Sequence, residues 1–257
     1  EDPAVVIQGL NEYFQIVVEA AAPAAASTIS TVASTAGAGA SATTGATGLS
    51  GTIVFEQSPG GTIYAYHLAS GELVALTHGY DPAISPDGQT VAFVRDGGEN
   101  GLYLINIDGT NERNIFSERV ALSSPKWSTD GTQIVFSRND EYVACYQMGF
   151  TCLEVDVFNK RFPNGAPFPV ELVKQYKHQL SIVNADGAGF HDVPALITAR
   201  TPDWNAAGIV YQSSAGLQRT QDVSGFESQE VSFDELNPQY YDPDWQPNGG
   251  QIAFAIK

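Results

Sequence analysis

The stretch "SPDGQTVAF", Ser85–Phe93, sets a polar turn directly against a short apolar run. Asp87-Gly88 supplies residues that tolerate the tight backbone of a turn, and Thr90–Phe93 reads as a strand. One such hairpin edge is ordinary. The same chemistry returns as "STDGTQIVF", Ser128–Phe136, and in variant form as "QPNGGQIAF", Gln246–Phe254. Three copies in one chain imply a repeated unit.

Further landmarks keep step with these turns. A proline followed by a short apolar or aromatic strand occurs in "DPAIS" from Asp81, "SPKWS" from Ser124, "TPDWN" from Thr201 and "DPDWQ" from Asp242. Strands ending in an aromatic place Phe55, Phe93, Phe136, Tyr211 and Phe254 at separations of 38, 43, 75 and 43 residues. A third strand with its own polar hairpin is seen in "YAYHLASGE", "YLINIDGTN" and "SIVNADGAG". A period near 40 residues with about four strands per unit indicates propeller blades, since a lone four-stranded sheet buries its faces only by stacking on neighbours. The expected fold is all-β, a β-propeller of about five short four-stranded blades, with four as the other count the landmarks allow. The Asp-Gly turns reverse the chain between the first and second strands of a blade. Trp127, Trp204 and Trp245 share one repeat position and are expected to pack blade against blade.

"PAISPDGQTVAFVRD" and "SPKWSTDGTQIVFSR", each followed by a strand and another Asp-Gly turn, resemble the WD40-like PD40 repeats of TolB-type β-propellers. The resemblance covers roughly residues 51–257. It departs from the pattern at "TPDWNAAGIVY", where the turn is shortened and lacks Asp-Gly, and after Phe136. It implies a propeller scaffold and protein contacts in the cell envelope, without naming the partner. The N-terminal part does not resemble the small α/β domain of full TolB.

Three regions follow along the chain: an apolar N-terminal arm (1–20), an Ala/Ser/Thr/Gly-rich linker without a charge (21–49) and the propeller (50–257) with an insertion at 137–179. In the arm, Val5, Val6, Leu10, Phe14, Val17 and Val18 recur at roughly helical intervals and are candidate contacts to the domain or to a neighbouring subunit. The insertion breaks the repeat and holds a dense aromatic set. Tyr142, Tyr146, Phe150, Phe158, Phe162 and Phe168 read either as a recognition surface or as a satellite core beneath a long loop. "PVELVKQY" within it reads as one or two helical turns, with Val170, Leu172, Val173 and Tyr176 on one side.

Cys145 and Cys152 are the two cysteines, and their closeness in sequence predicts a local disulfide. Zinc is disfavoured because two thiolates need further ligands and no histidine lies nearby. A disulfide places the chain in an oxidising compartment, so an exported protein is expected, periplasmic or extracellular. The start "EDPAVVIQG", without an initiator Met, fits removal of a signal segment. No apolar run approaches the roughly 20 residues of a membrane span.

The net charge of -17, from 29 acidic against 12 basic residues, argues against nucleic acid and against an anionic membrane surface. No catalytic constellation stands out: GxSxG, HExxH and CxxC are absent, and His67, His78, His178 and His191 are scattered. No cofactor is assigned. Calcium is kept as a minor alternative at the acidic turns Asn139–Glu141, Tyr241–Asp244 and Ser232–Asn237, none of which has EF-hand spacing. The function expected is a noncatalytic exported protein-binding or assembly module, acting on a protein partner or as a homo-oligomer. The alternatives are a structural subunit of a surface layer, filament or membrane-bound complex, and an envelope hydrolase or lyase.

Overall fold

Each repeated turn is closed by its own side chains. Asp87 Oδ1 accepts from Gln89 N–H (3.0 Å) and from the Ser85 hydroxyl, while Ser85 Oγ accepts from Thr90 N–H (2.9 Å). Ser128, Asp130 and Gln133 repeat this arrangement one blade later. The serine and aspartate therefore satisfy backbone groups that the reversal would otherwise leave open. In the shortened turn, Asn205 Oδ1 takes over by accepting from Ala207 N–H at 2.7 Å. Gly208 follows with φ +122, and a Cβ there would lie 2.5 Å from Thr220 O, so the missing Asp-Gly is replaced by a glycine that the neighbouring strand requires.

The computed structural model describes residues 50–149, 151–232, 240–246 and 249–256. The arm, the linker and Phe150 lie outside the described residues. Among those described, the strands form five antiparallel sheets. The first holds β1 (Thr52–Glu56), β2 (Thr62–His67) and β3 (Glu72–His78); the second holds β4 (Tyr80–Ile84), β5 (Thr90–Arg95), β6 (Gly101–Asn106) and β7 (Arg113–Phe116). The third runs β8 (Leu122–Trp127), β9 (Gln133–Met148), β11 (Glu171–Asn184) and β12 (His191–Asp192), with β10 (Thr151–Glu154) added beside the end of β9. The fourth is β13 (Arg200–Asn205), β14 (Gly208–Ser213), β15 (Gly216–Thr220) and β16 (Gln229–Ser232), and the fifth is β17 (Tyr240–Trp245) with β18 (Ile252–Ile256).

The five aromatic landmarks fall on β1, β5, β9, β14 and β18. Four sheets own an inner proline-containing strand, β4, β8, β13 or β17, and these neighbour one another in that order. They make a four-blade propeller arrangement, the lower of the two counts left open by the landmarks. Among the described residues, the sheet β1–β3 has no inner strand, and it packs beside β4.

Each inner strand carries the same kink. The residue before its proline, Asp81, Ser124, Thr201 or Asp242, has φ between 42 and 52, and the pairing register shifts there. A left-handed non-glycine residue costs about 1–2 kcal/mol, so four in equivalent places are a constructed bulge rather than chance. The apolar cores lie between blades. Val135, Leu180 and Ile182 meet Ile209 and Tyr211, and Leu102 and Leu104 meet Ile134 and Phe136. Trp127 donates through Nε1 to Ala83 O on the preceding blade (3.0 Å), and Trp245 to Gly208 O (3.1 Å). These two tryptophans are buried packing residues, and Trp204 packs on the core beside Ile209.

Residues 137–179 differ from the expected loop. Both ends continue blade strands, as β9 and β11 run on together past the blade and pair as far as Gln147↔Glu171. "ELVKQY" is therefore strand and not helix. Its apolar residues alternate between half-buried Val173 and exposed Leu172 and Tyr176, because an open edge of β9 was there to pair with. Among the described residues of this segment, helix is confined to α1 (Val155–Arg161).

Candidate interaction surface on the projecting hairpin

The hairpin leaves the blade at a register shift between Lys177 and Gln179. Arg138 stands at that point with its side chain 1% exposed. It is bonded to Asp140, to Ser181 Oγ (3.0 Å) and to both carboxylate oxygens of Asp192 (3.0 and 2.9 Å). The base of the hairpin is thus clamped to β12.

Alternation along the two strands creates two faces. Val143, Cys145 and Val173 turn to the body of the protein and cluster with Cys152 and Ile197. Cys145 and Cys152 are disulfide-bonded with Cα atoms 5.5 Å apart, tying β9 to β10 as the sequence predicted. The opposite face carries Tyr142 and Tyr176, directly paired across the strands, with ring centroids 4.0 Å apart. Both are about half exposed (53% and 50%), and Leu172 on the same face is 56% exposed. Lys174 holds its ammonium 4.9 Å from the Tyr142 ring. A hydrogen bond with Tyr176 raises the pKa of the Tyr142 hydroxyl above its ordinary value.

The aromatic set expected to act together is split by the fold. Tyr146 packs at a tilt against Phe158 (4.1 Å between ring centroids), which is buried, and Phe158 leads to Phe162 (5.0 Å). This chain pins α1 onto the hairpin as a satellite core. Phe168 meets Phe162 edge-on at 5.7 Å and stays 42% exposed. Tyr142 and Phe168 are therefore the predicted residues left available, while Tyr176, Leu172 and Lys174 join Tyr142 without having been grouped with it. The two-residue alternation of "ELVKQYK" was the signal that could have found them.

The propeller axis has different chemistry. Lys126 on β8 lies 2.8 Å from Asp244 on β17 and 3.9 Å from Asp203 on β13. Burial works against the Lys126 charge, but Asp244, with Asp203 and Asp242, outweighs it and the pKa is raised. Burial also raises the pKa of Asp203, whose carboxylate accepts from Trp245 N–H at 2.6 Å. This group ties three inner strands together. Two of the acidic turns considered for calcium are similarly engaged: Asp140 and Glu141 pair with Arg138 and Arg119, and Asp244 with Lys126; the third, Ser232–Asn237, lies outside the described residues beyond Ser232. Among the described residues, no group of three or more His, Cys, Asp or Glu is placed to hold a metal ion. None of their helices is long and apolar enough to cross a membrane.

No family model matches the chain. A structure assigned as TolB from Agrobacterium tumefaciens is similar at a TM-score of 0.55 and 16% identity, over 80% of this chain and 66% of that one. TolB from Acinetobacter baumannii gives 0.49 and 14%, over 80% of this chain and 49% of that one. In sequence, 79 residues are 37% identical to an uncharacterized peptidase, YuxL, of Bacillus subtilis (strain 168), covering 28% of this chain and 12% of the peptidase. The chain thus spans less than two thirds of each of these proteins. At these identities the likeness concerns architecture, and the chain has a TolB-like β-propeller fold.

Proposed function

We propose that the chain is a noncatalytic, exported protein-binding or assembly module in which the propeller is the scaffold and the projecting hairpin makes the contact. The observation that carries this reading is the stacked, half-exposed pair Tyr142–Tyr176 beside exposed Leu172. Tyrosines held rigid on paired strands offer contact area at small entropic cost, and aromatic side chains are enriched in protein interfaces. The disulfide and the Arg138 clamp stiffen the hairpin, so little ordering remains to be lost on binding. The disulfide also suits a periplasmic or extracellular setting. In this reading the apolar arm, through Val5, Val6, Leu10, Phe14, Val17 and Val18, is a second contact element.

The test is site-specific photo-crosslinking in the full chain in its native cellular setting. A crosslinker at Tyr142 is expected to capture a discrete polypeptide, and one at the exposed turn residue Asp108 is not. Equal, diffuse labelling from both positions would refute the assignment.

A further inference from the structure

A strand lacking a neighbour on one side is an unfinished hydrogen-bonding surface. β11 is such a strand over its first half. From His178 onward its outer side is occupied. His178 donates its N–H to Ile197 O (2.8 Å), Leu180 O accepts from Val193 N–H (2.9 Å), and β12 pairs with Ser181 and Ile182. From Glu171 to Lys177, among the described residues, β11 is paired with β9 alone. Successive residues of a strand direct their backbone groups to alternate sides. The register shift near Lys177 takes its extra residue from β9, so the alternation of β11 is continuous. Since His178 and Leu180 bond outward, Leu172, Lys174 and Tyr176 present their N–H and C=O groups to the open side.

We propose that this edge pairs with the same edge of a second copy, antiparallel, about a two-fold axis at Lys174. This rests on the reading of the hairpin as the contact surface and names its partner. The hydrogen-bonding pattern restricts the register, because outward-pointing residues must face each other. Centring on Val173 sets Leu172 against Lys174. Centring on Gln175 sets Lys174 against Tyr176 and requires His178, which is already engaged. Centring on Lys174 sets Leu172 against Tyr176 twice on one face and Glu171 against Lys177 twice on the other. Apolar then meets apolar and negative meets positive, the combinations that stabilise cross-strand pairs. Neither Glu171 nor Lys177 has an ion-pair partner among the described residues. The one like-charged meeting is Lys174 with its copy, and each of these ammonium groups is drawn toward the Tyr142 ring of its own chain. With 29 acidic residues against 12 basic, most surfaces of two copies repel, whereas this edge meets its copy with opposite charges. The contact is isologous and closes as a dimer.

The experiment is sedimentation velocity of the full chain across a concentration series, with circular dichroism to verify folding of each variant. A concentration-dependent dimer is expected. Lys177→Glu sets carboxylates against each other at both ends of the paired strands and is expected to weaken the dimer about tenfold or more. Glu171→Lys does the same with two ammonium groups, and the double exchange E171K/K177E restores association. Register is read by mixing Leu172→Cys with Tyr176→Cys: oxidation of the mixture yields a crosslinked dimer, and neither variant alone does so. A chain monomeric throughout, a dimer indifferent to the charge exchanges, or crosslinking of Leu172→Cys with itself overturns the inference. Photo-crosslinks from Tyr142 to a different polypeptide, with the chain monomeric, overturn the second copy and leave the contact surface standing. No crosslink from Tyr142 together with a monomer overturns both.

Discussion

Arg138 grips Asp192 with one nitrogen, Nη2, placed 3.0 and 2.9 Å from the two carboxylate oxygens. This joins the second strand of the third sheet to its last strand at the point where β9 leaves the blade. The preceding blade has a counterpart: Arg95, also two residues after the aromatic landmark, lies 2.8 Å from Glu112 and bonds His78 O at 3.0 Å. The arginine is thus a repeat position in two blades, replaced by Ser213 in the next. Removing one member of a buried charged network leaves the others uncompensated. Arg138→Met is expected to lower unfolding free energy by about 3 kcal/mol, measured by urea denaturation. Asp192→Asn should cost less, because its carboxylate is partly exposed.

Trp127 tests the joint between blades. Trp127→Phe keeps an aromatic ring in the core but strands Ala83 O without its donor. A loss of about 1–3 kcal/mol is expected. Trp127→Ala adds a cavity and should cost about 3–5 kcal/mol. Equal, near-zero effects in thermal or urea unfolding would contradict the packing role.

The disulfide closes a loop with a sequence separation of 7. On the chain-entropy view, so short a loop contributes about 2.5 kcal/mol. The paired substitution Cys145→Ser/Cys152→Ser is expected to speed hydrogen exchange in β9 beyond Arg138, in β10 and in the first half of β11. Strands β5 and β14 should keep their protection, because their cores lie between blades.

Asp130 provides a pH test. The Ser128 hydroxyl, then Thr132, hold its carboxylate in the charged form and lower its pKa to about 2. A carboxylate with a depressed folded pKa stabilises the fold above its unfolded pKa, and that contribution is lost as pH falls through about 2. Ser128→Ala is expected to move the pKa up toward the ordinary value, followed by carbon-13 NMR of the side-chain carboxyl. An unchanged titration would show that the turn does not set it.

His191 titrates with the opposite sign. Burial opposes its charge, but Gly189 O and the Asp222 carboxylate, each 2.8 Å away, outweigh burial and raise its pKa. Its contribution is full below the unfolded pKa and fades as pH rises through the folded value. Asp222→Asn should lower the His191 pKa, read from its ring-proton shifts.

Much of the propeller is legible in the sequence because its signals are local. An Asp two residues after a Ser closes a turn within five residues, and alternation of Val, Ile and Phe records which side of a strand is buried. The pairing of Cys145 with Cys152 is local in the same sense. What the tertiary structure alone decided depends on partners far away in sequence. "ELVKQY" has apolar residues that suit either a helix or a strand, and only the free edge of β9, more than 20 residues earlier, made it a strand. The same pairing brought Tyr176 onto Tyr142, while the ring of Tyr146, on the same face of β9, was claimed by α1. The Arg138 clamp and the axial Lys126–Asp244 pair span 54 and 118 residues, distances over which no periodicity in the chain carries information. Local hydrogen bonds and side-chain alternation determine the blade. What projects from the blades is settled by which edges remain open once the sheets have packed.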